Sequence, residues 1–340
     1  MRVTASAPGK LVLLGEYAVL DGSPALVQAV NRRARAALTP VTGECWEIVS
    51  PTLELEARVR VGVGGAEWLG TPAPELAWLA SLFSQLPFAS KLTPCRVELE
   101  SNAFYLDQGG GRLKLGLGSS AALTVALLGA LHAYAGQPAP TLAACIAVHR
   151  AIQHGRGSGI DIAAALAGGL SRFELRESRA QCVPMQLPHG LHWCCVFSGR
   201  PASTAAMLAK IAEWRERAPA EYTRRMSELA TIASRGVDAV ASHDAASLLS
   251  SLHDYAQALA RFGEAGGVDI VSRGHRLLAA LAADCGVVYK SCGAGGGDVG
   301  VTFAMDDMRL REFAGRATEA GFAVIELGAD PRGLETNVAD

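Results

Sequence analysis

Gly116-Leu-Gly-Ser-Ser-Ala-Ala122, followed at once by Leu123-Thr-Val-Ala-Leu-Leu-Gly-Ala-Leu131, is the stretch that decides how this chain is read. Two glycines and two hydroxyls open a long apolar segment with the character of a buried helix. A helix start exposes unpaired N–H groups and carries a partial positive charge, so it attracts anions. Glycines ahead of it let backbone N–H groups approach an anion closely, and serines add hydroxyl donors or metal ligands. The pattern is that of a phosphate cradle, and the competing reading is a turn with a helix cap.

Other phosphate and nucleophile signatures fail on the same letters. A P-loop needs Lys after its second glycine, and none stands here. Gly116, Gly118 and Ala121 formally satisfy the dinucleotide fingerprint. That fingerprint also wants an acidic residue about 20 positions on, yet no Asp or Glu occurs between Ala121 and Asp161. A nucleophile elbow fails because Ala122 occupies the place of its second glycine.

Working outward, the 340 residues are 50% hydrophobic and 19% charged, with a formal net charge of -2. That is enough apolar chain for one large core or two ordinary ones. No basic stripe with interleaved aromatics favours nucleic acid. The apolar runs are too short for a bilayer, and the start resembles folded protein rather than a signal segment. Eight irregularly spaced cysteines without a Cys-x-x-Cys pair argue against a disulfide framework or zinc site. A cytoplasmic protein, monomer or homodimer, without membrane or nucleic-acid partners is expected.

The first part is strand-rich, with breaks at Gly, Pro and Asp. Helical patterns follow over residues 74–86, 120–135, 141–153 and 160–167. After a strand at 191–197 come helices over 202–217, 220–242, 245–262 and 270–285, then strands at 286–289, 299–303 and 322–327 around a helix at 305–319. Gly109-Gly-Gly111 reads as a hairpin tip. Strands grouped apart from helices favour α+β. A boundary is expected between Leu170 and His192.

Two further glycine signals exist. Ser291-Cys-Gly-Ala-Gly-Gly-Gly-Asp298 lies between expected strands, where so much glycine must serve permissive geometry or close approach. Near the start, Pro8-Gly-Lys10 precedes Gly15-Glu-Tyr17. Lys10 is read as a cation at a tight turn, suited to a transferring phosphoryl group.

Taken together, Ala7-Pro-Gly-Lys-Leu-Val-Leu-Leu-Gly-Glu-Tyr-Ala-Val-Leu20, Leu115-Gly-Leu-Gly-Ser-Ser-Ala-Ala122 and Cys292-Gly-Ala-Gly-Gly-Gly-Asp298 resemble the three motifs of the GHMP small-molecule kinases. The resemblance spans nearly the whole chain and is greatest to the phosphomevalonate kinase branch. Gly-Glu-Tyr stands where mevalonate kinases usually have Gly-Glu-His, and Asp298 stands where they tend to carry a fourth glycine. His149-Arg-Ala-Ile-Gln153 and Gly157-Ser-Gly-Ile-Asp161 match that branch too. The resemblance implies a two-domain GHMP fold, with a ribosomal S5 domain 2-like part over residues 1–180 and a ferredoxin-like part over 181–340.

It also implies roles. Gly116, Gly118, Ser119, Ser120 and Ala121 would cradle the phosphates of ATP, with Ser120 touching Mg²⁺. Lys10 and Asp161 would be catalytic, Asp161 orienting or deprotonating the acceptor oxygen and pairing with Lys10. Gly293, Ala294 and Gly295 would wall the acceptor, with Ser158 and Ser203 beside it. An acceptor that is itself a phosphate needs cations around it, and Lys10, Arg156 and Arg200 are the first candidates, then His154 and Arg150. Ser101 and Asn102 are guesses for the adenine side.

Two departures matter. Arg150 stands where mevalonate kinases place a glutamate for magnesium, and Cys292 replaces a small hydroxyl residue. The expected activity is therefore ATP-dependent phosphorylation of a small phosphorylated acid. The alternatives are mevalonate, homoserine or a sugar as acceptor, a non-catalytic ligand-binding member, and, distantly, a nicotinamide oxidoreductase.

Overall fold

Residues 2–40 supply the two longest strands, β1 (Arg2–Leu14) and β2 (Ala25–Pro40), paired antiparallel from Val3↔Leu38 to Leu14↔Leu26. The register shifts between Pro8 and Gly9 and again between Val12 and Leu14. Proline has no N–H for a ladder, so a bulge is where a strand tolerates it. A side chain at Gly9 would press on Phe104 and the Leu117 carbonyl, at 2.7 and 2.8 Å from its Cβ. Pro8-Gly9-Lys10 is thus a kinked strand interior and not the tight turn expected from its composition.

The computed structural model describes residues 1–339 apart from Gly64, Gly109, Gly110, His154, Arg156, Glu177 and Ser178. After β2 come β3 (Trp46–Ser50), β4 (Leu55–Gly62), β5 (Gly65–Trp68), α1 (Trp78–Ser84), β6 (Cys95–Glu100) and a hairpin of β7 (Tyr105–Gln108) and β8 (Gly111–Lys114). Helices α2 (Ser119–Tyr134), α3 (Leu142–Ile152) and α4 (Ile160–Ala167) lead to β9 (Leu170–Arg176) and β10 (Arg179–Met185). The first sheet has the order β10-β9-β2-β6-β3-β4-β5, with β1 on β2. Residues 25–28 of β2 pair with β9 and residues 35–40 with β6. Helices α2 and α4 pack on β1 and β2, and α2 is buried almost all round.

The second part holds β11 (His192–Phe197), α5 (Thr204–Arg217), α6 (Pro219–Ala241), α7 (Ala245–Gly266), α8 (Arg273–Asp284), β12 (Val288–Ser291), β13 (Val299–Ala304), α9 (Asp307–Glu319) and β14 (Ala323–Ile325). Its antiparallel sheet has the order β12-β13-β11-β14. With α8 and α9 this is the split β-α-β order of a ferredoxin-like unit, with α5, α6 and α7 inserted after β11. A last strand, β15 (Glu335–Ala339), returns to the first sheet and pairs with β1 from Ser6↔Glu335 to Arg2↔Ala339. Arg33 stitches this return, donating to Asp330 at 2.7 Å and to the Gly333 carbonyl at 2.7 Å.

One hydrophobic cluster runs from Val3 to Ile325 through both parts, and a smaller one sits under α8 and α9. Among the described residues, no helix is long and apolar enough to cross a membrane. The helix expected over 74–86 is shorter, a 3-10 turn at Pro74–Leu76 and then α1.

Helix α6 meets β1 without a spacer. A Cβ on Gly236 would overlap the Leu14 Cδ1 methyl and lie 3.2 Å from Ser251 Cβ. Gly236→Ala should therefore destabilise the protein by about 1–3 kcal/mol through overpacking, read as a lower urea midpoint. Helix propensity alone predicts the opposite sign.

Candidate active site

Lys10 lies just past the bulge of β1, and its backbone N–H donates to the Leu117 carbonyl at 2.8 Å. That bond joins the first strand to the turn ahead of α2. The turn itself needs glycine twice, since Gly116 and Gly118 have φ of 73° and 81°. Gly118 also leaves room for its neighbours: a Cβ there would stand 3.1 Å from Lys10 Cγ and 3.8 Å from Asp161 Cβ. Lys10 and Asp161 therefore flank the start of α2. The Lys10 Nζ donates to the Gly116 carbonyl at 3.3 Å and faces Gly293, whose Cβ would lie 3.7 Å away.

These elements surround a cavity of about 540 Å³. Its wall includes Lys10, Gly116, Gly118, Ser119, Ser120, Ala121, Ser158, Asp161, Gly293 and Ala294, so most of the residues expected from the three motifs converge. Ser119 is buried and Ser120 is exposed at the first turn of α2. Ser158 Oγ accepts from the Ile160 N–H at 3.3 Å, and Asp161 Oδ1 accepts from the Ile162 N–H at 3.0 Å. Arg150, on α3, donates from Nε to the Gly157 carbonyl at 3.3 Å and so props the loop ahead of Asp161.

Several expectations meet different geometry. Lys10 Nζ bonds the Gly116 carbonyl, and among the described residues no Lys10–Asp161 ion pair lies within 4 Å. Arg200 is outside the wall, because Asp269 takes its guanidinium at 2.7 Å and the Gly296 carbonyl takes its Nε at 2.6 Å. Ser203 caps α5, accepting from the Ala206 N–H at 3.3 Å. Gly295 turns away from the cavity, since its Cβ position is filled by Ile270. Asn102 accepts from Arg112 at 2.8 Å, and neither it nor Ser101 reaches the cavity. Arg156 and His154 lie outside the described residues.

Other residues of the wall carried no assignment from sequence. Lys114, at the end of β8, lines the cavity. Lys114 stands two residues before Gly116, and a cation immediately ahead of a glycine-serine helix start was the available signal. Glu16 and Tyr17 tie the first motif to the third. The Tyr17 hydroxyl donates to the Ala294 carbonyl at 2.5 Å. Glu16 forms a fully buried ion pair with Lys290, whose Nζ also donates to the Ser291 carbonyl at 2.7 Å. Tyr255, from α7, donates to the Glu16 carbonyl at 2.7 Å. Burial pushes the Glu16 carboxyl up, and the Lys290 ammonium opposes that shift.

Asp298 closes the third loop with φ at 61°. Its Oδ1 accepts from the Ala202 N–H at 2.9 Å, while its carboxylate fills the space that a side chain on Gly116 would need. Burial pushes the Asp298 carboxyl up, against the pull of that N–H, Lys10 and Lys114. Behind the loop, His275 is buried between Gly297 and Tyr289. Its Nε2 lies 2.8 Å from the Gly297 carbonyl, so it donates there, and Nδ1 accepts from the Tyr289 hydroxyl at 2.7 Å.

A second concavity, about 650 Å³, lies between α6 and residues 18–24. It contains Asp21 and Arg215 but none of the glycine motifs.

Comparison with known proteins matches this arrangement. Residues 79–169 match the GHMP kinases N terminal domain. A mevalonate kinase from Methanothermobacter thermautotrophicus is 32% identical over 239 residues, 68% of this chain and 69% of that protein. The chain belongs to the GHMP kinase family. A phosphomevalonate kinase from a Streptomyces species is 28% identical to this GHMP kinase over 334 residues, 87% of the chain and 88% of the relative. The structure of Streptococcus pneumoniae phosphomevalonate kinase with phosphomevalonate and AMPPNP superposes on this fold with a TM-score of 0.78. It covers 96% of this chain and 99% of that one at 18% identity. Leishmania major mevalonate kinase with R-mevalonate does so at 0.68 and 18% identity, covering 96% of each.

Two consequences for stability follow in this GHMP kinase. Removing one partner of a buried ion pair leaves an uncompensated charge, so Lys290→Met should cost about 3–5 kcal/mol. Glu16→Leu added to it should recover part of that loss in urea denaturation. Burial pushes His275 down to about 4. The fold therefore favours neutral imidazole, and that stabilisation is complete above the ordinary value of about 6.5 and lost as pH falls toward 4. Between those limits the loss reaches about 3 kcal/mol, and His275→Gln should flatten the corresponding part of the pH–stability curve.

Proposed function

We propose that this GHMP kinase transfers the γ-phosphoryl group of ATP to the phosphate of (R)-5-phosphomevalonate, giving mevalonate 5-diphosphate and ADP in the mevalonate route to isoprenoids. The observation that carries the reading is the meeting of Lys10 and Lys114 with the glycine-led start of α2 in one cavity. A relative bearing the phosphomevalonate kinase name aligns along 87% of the chain, which adds support. In this reading residues 1–180 hold ATP, and residues 181–340 bring the third glycine loop and α5 to the acceptor.

The chemistry is chiefly positioning and charge neutralisation. A phosphate acceptor is already ionised, with a second pKa near 6, so proton removal is a minor problem. Bringing two anions together is the larger one, at roughly 4 kcal/mol per unit charge pair 4 Å apart in a dielectric near 20. The N–H groups at the start of α2, with Ser119 and Ser120, cradle the ATP phosphates. Lys10, held by the Gly116 carbonyl between the second and third motifs, offsets charge where the phosphoryl group passes. Lys114 adds a second cation beside that path. Asp161 orients the acceptor oxygen from across Gly118.

The donor set suits Mg²⁺. Ser120 and Asp161 border one cavity, and among the described residues no group of three or more His, Cys, Asp or Glu gathers to encage an ion. Few protein ligands fit an ion that keeps its waters and binds through phosphates. Ser120, with Asp161 nearby, would hold it, and when bound it supplies charge neutralisation on the ATP phosphates.

Mevalonate is the second reading, favoured by the 32% identity to a mevalonate kinase and by Asp161, which could serve a hydroxyl acceptor as base. ADP release with Mg-ATP separates the two when phosphomevalonate, mevalonate and homoserine are compared under identical conditions. Turnover confined to phosphomevalonate is the expected result, and Lys10→Ala should lower it by about 10²–10³-fold. Preference for mevalonate overturns the phosphate-acceptor reading.

A further inference from the structure

The third glycine loop and the segment 198–202 are joined more closely than neighbouring loops need be. The Ser198 N–H donates to the Asp298 carbonyl at 2.8 Å, and the Asp298 N–H donates to the Arg200 carbonyl at 2.8 Å. Arg200 Nε reaches the Gly296 carbonyl at 2.6 Å. Gly297 lies under the Arg200 carbonyl and Pro201, at 2.5 and 3.0 Å from its Cβ position, so no side chain fits between the segments. Among the described residues, the side-chain acceptor in this seam is Asp298 Oδ1, which takes the Ala202 N–H at 2.9 Å.

Ala202 stands two residues ahead of α5. Pro201, Ala202, Thr204 and Ala205 all line the cavity. The placement of this side of the wall therefore depends on how residues 198–202 are held. Asp298 does this from a conformation with φ at 61°, which a non-glycine residue adopts at a cost. Its carboxylate occupies the volume left open at Gly116, so the same side chain also touches the phosphate turn.

We propose that Asp298 is a positioning residue for the acceptor: by holding the Ala202 N–H it fixes residues 198–202 and, with them, the side of the cavity wall formed by Pro201, Ala202 and Thr204. It acts through a hydrogen bond and not through its charge, and it rests on the kinase reading for what the cavity binds. Asparagine keeps the oxygen acceptor and tolerates the backbone conformation, alanine loses both, and glycine relieves the backbone but loses the acceptor.

The test compares Asp298→Asn, Asp298→Ala and Asp298→Gly with the parent in steady-state kinetics and in amide hydrogen exchange at Ala202. For Asp298→Ala and Asp298→Gly, the acceptor KM should rise roughly tenfold, the worth of one hydrogen bond, with the ATP KM close to that of the parent. Exchange at Ala202 should quicken in both. Asp298→Asn should stay close to the parent in all three quantities. An asparagine variant as impaired as alanine overturns the proposal in favour of a charge-based role at phosphate or metal. Equal losses for ATP and acceptor, or unchanged acceptor KM in the glycine variant, overturn it as well. Should the parent turn over none of the acceptors, the phosphate-acceptor reading falls. Exchange at Ala202 then still decides the latch, since quickening in alanine and glycine but not asparagine upholds it and any other pattern rejects it.

Discussion

The buried ion pair between Glu16 and Lys290 is the constraint on which the site depends. Two charges withdrawn from water gain little net stability, because desolvation offsets most of their attraction. They are demanding about geometry, however, since a charge left alone in the interior is far worse than a pair. Glu16 lies within the first motif and Lys290 lies on β12, three residues before Gly293. Joining them fixes where the third glycine loop sits relative to β1. The hydroxyls of Tyr17 and Tyr255 then pin the same junction from two further directions. The partners are 274 residues apart in sequence, so the pair also ties together the two parts of the chain.

Glycine works in this cavity mainly by absence. At Gly118 the missing side chain makes room for Lys10 and Asp161, and at Gly116 it makes room for Asp298. A phosphate-binding surface built from backbone needs such openings, because every Cβ would push the N–H groups away from an anion. The cations then come from strands flanking the turn, Lys10 from β1 and Lys114 from β8. Strands hold a side chain more firmly than a loop does, which matters when a misplaced charge repels instead of guiding.

What could be read from sequence was what is local. Gly116 to Ser120 announces a helix start, and the helices after residue 200 follow apolar periodicity. The ferredoxin-like order of the second sheet agrees with the expected class. The first part of β2 was hidden, because Ala25 to Val30 is buried on both faces and shows no alternation. Strands β10 and β15 were hidden for the opposite reason, being polar and exposed segments that gain order from pairing alone. Pro8 read as a breaker because a bulge cannot be seen without the partner strand. The same limit applies to side chains. Arg200 as a free cation was a sound local reading, but Asp269, distant in sequence, takes up its charge. Lys290 gave no local sign of its partner.

The return of β15 to β1 has a consequence for how the chain reaches this state. The edge of β1 over residues 2–6 receives its partner only when residues 335–339 have left the ribosome, long after β1 itself is made. Until then the strand that carries Lys10 presents unpaired backbone groups, the kind of edge that recruits other chains. Synthesis at about 5–20 residues per second leaves that edge open for tens of seconds. The strand bearing the first motif thus waits for a segment made far later in the chain before its second edge is covered.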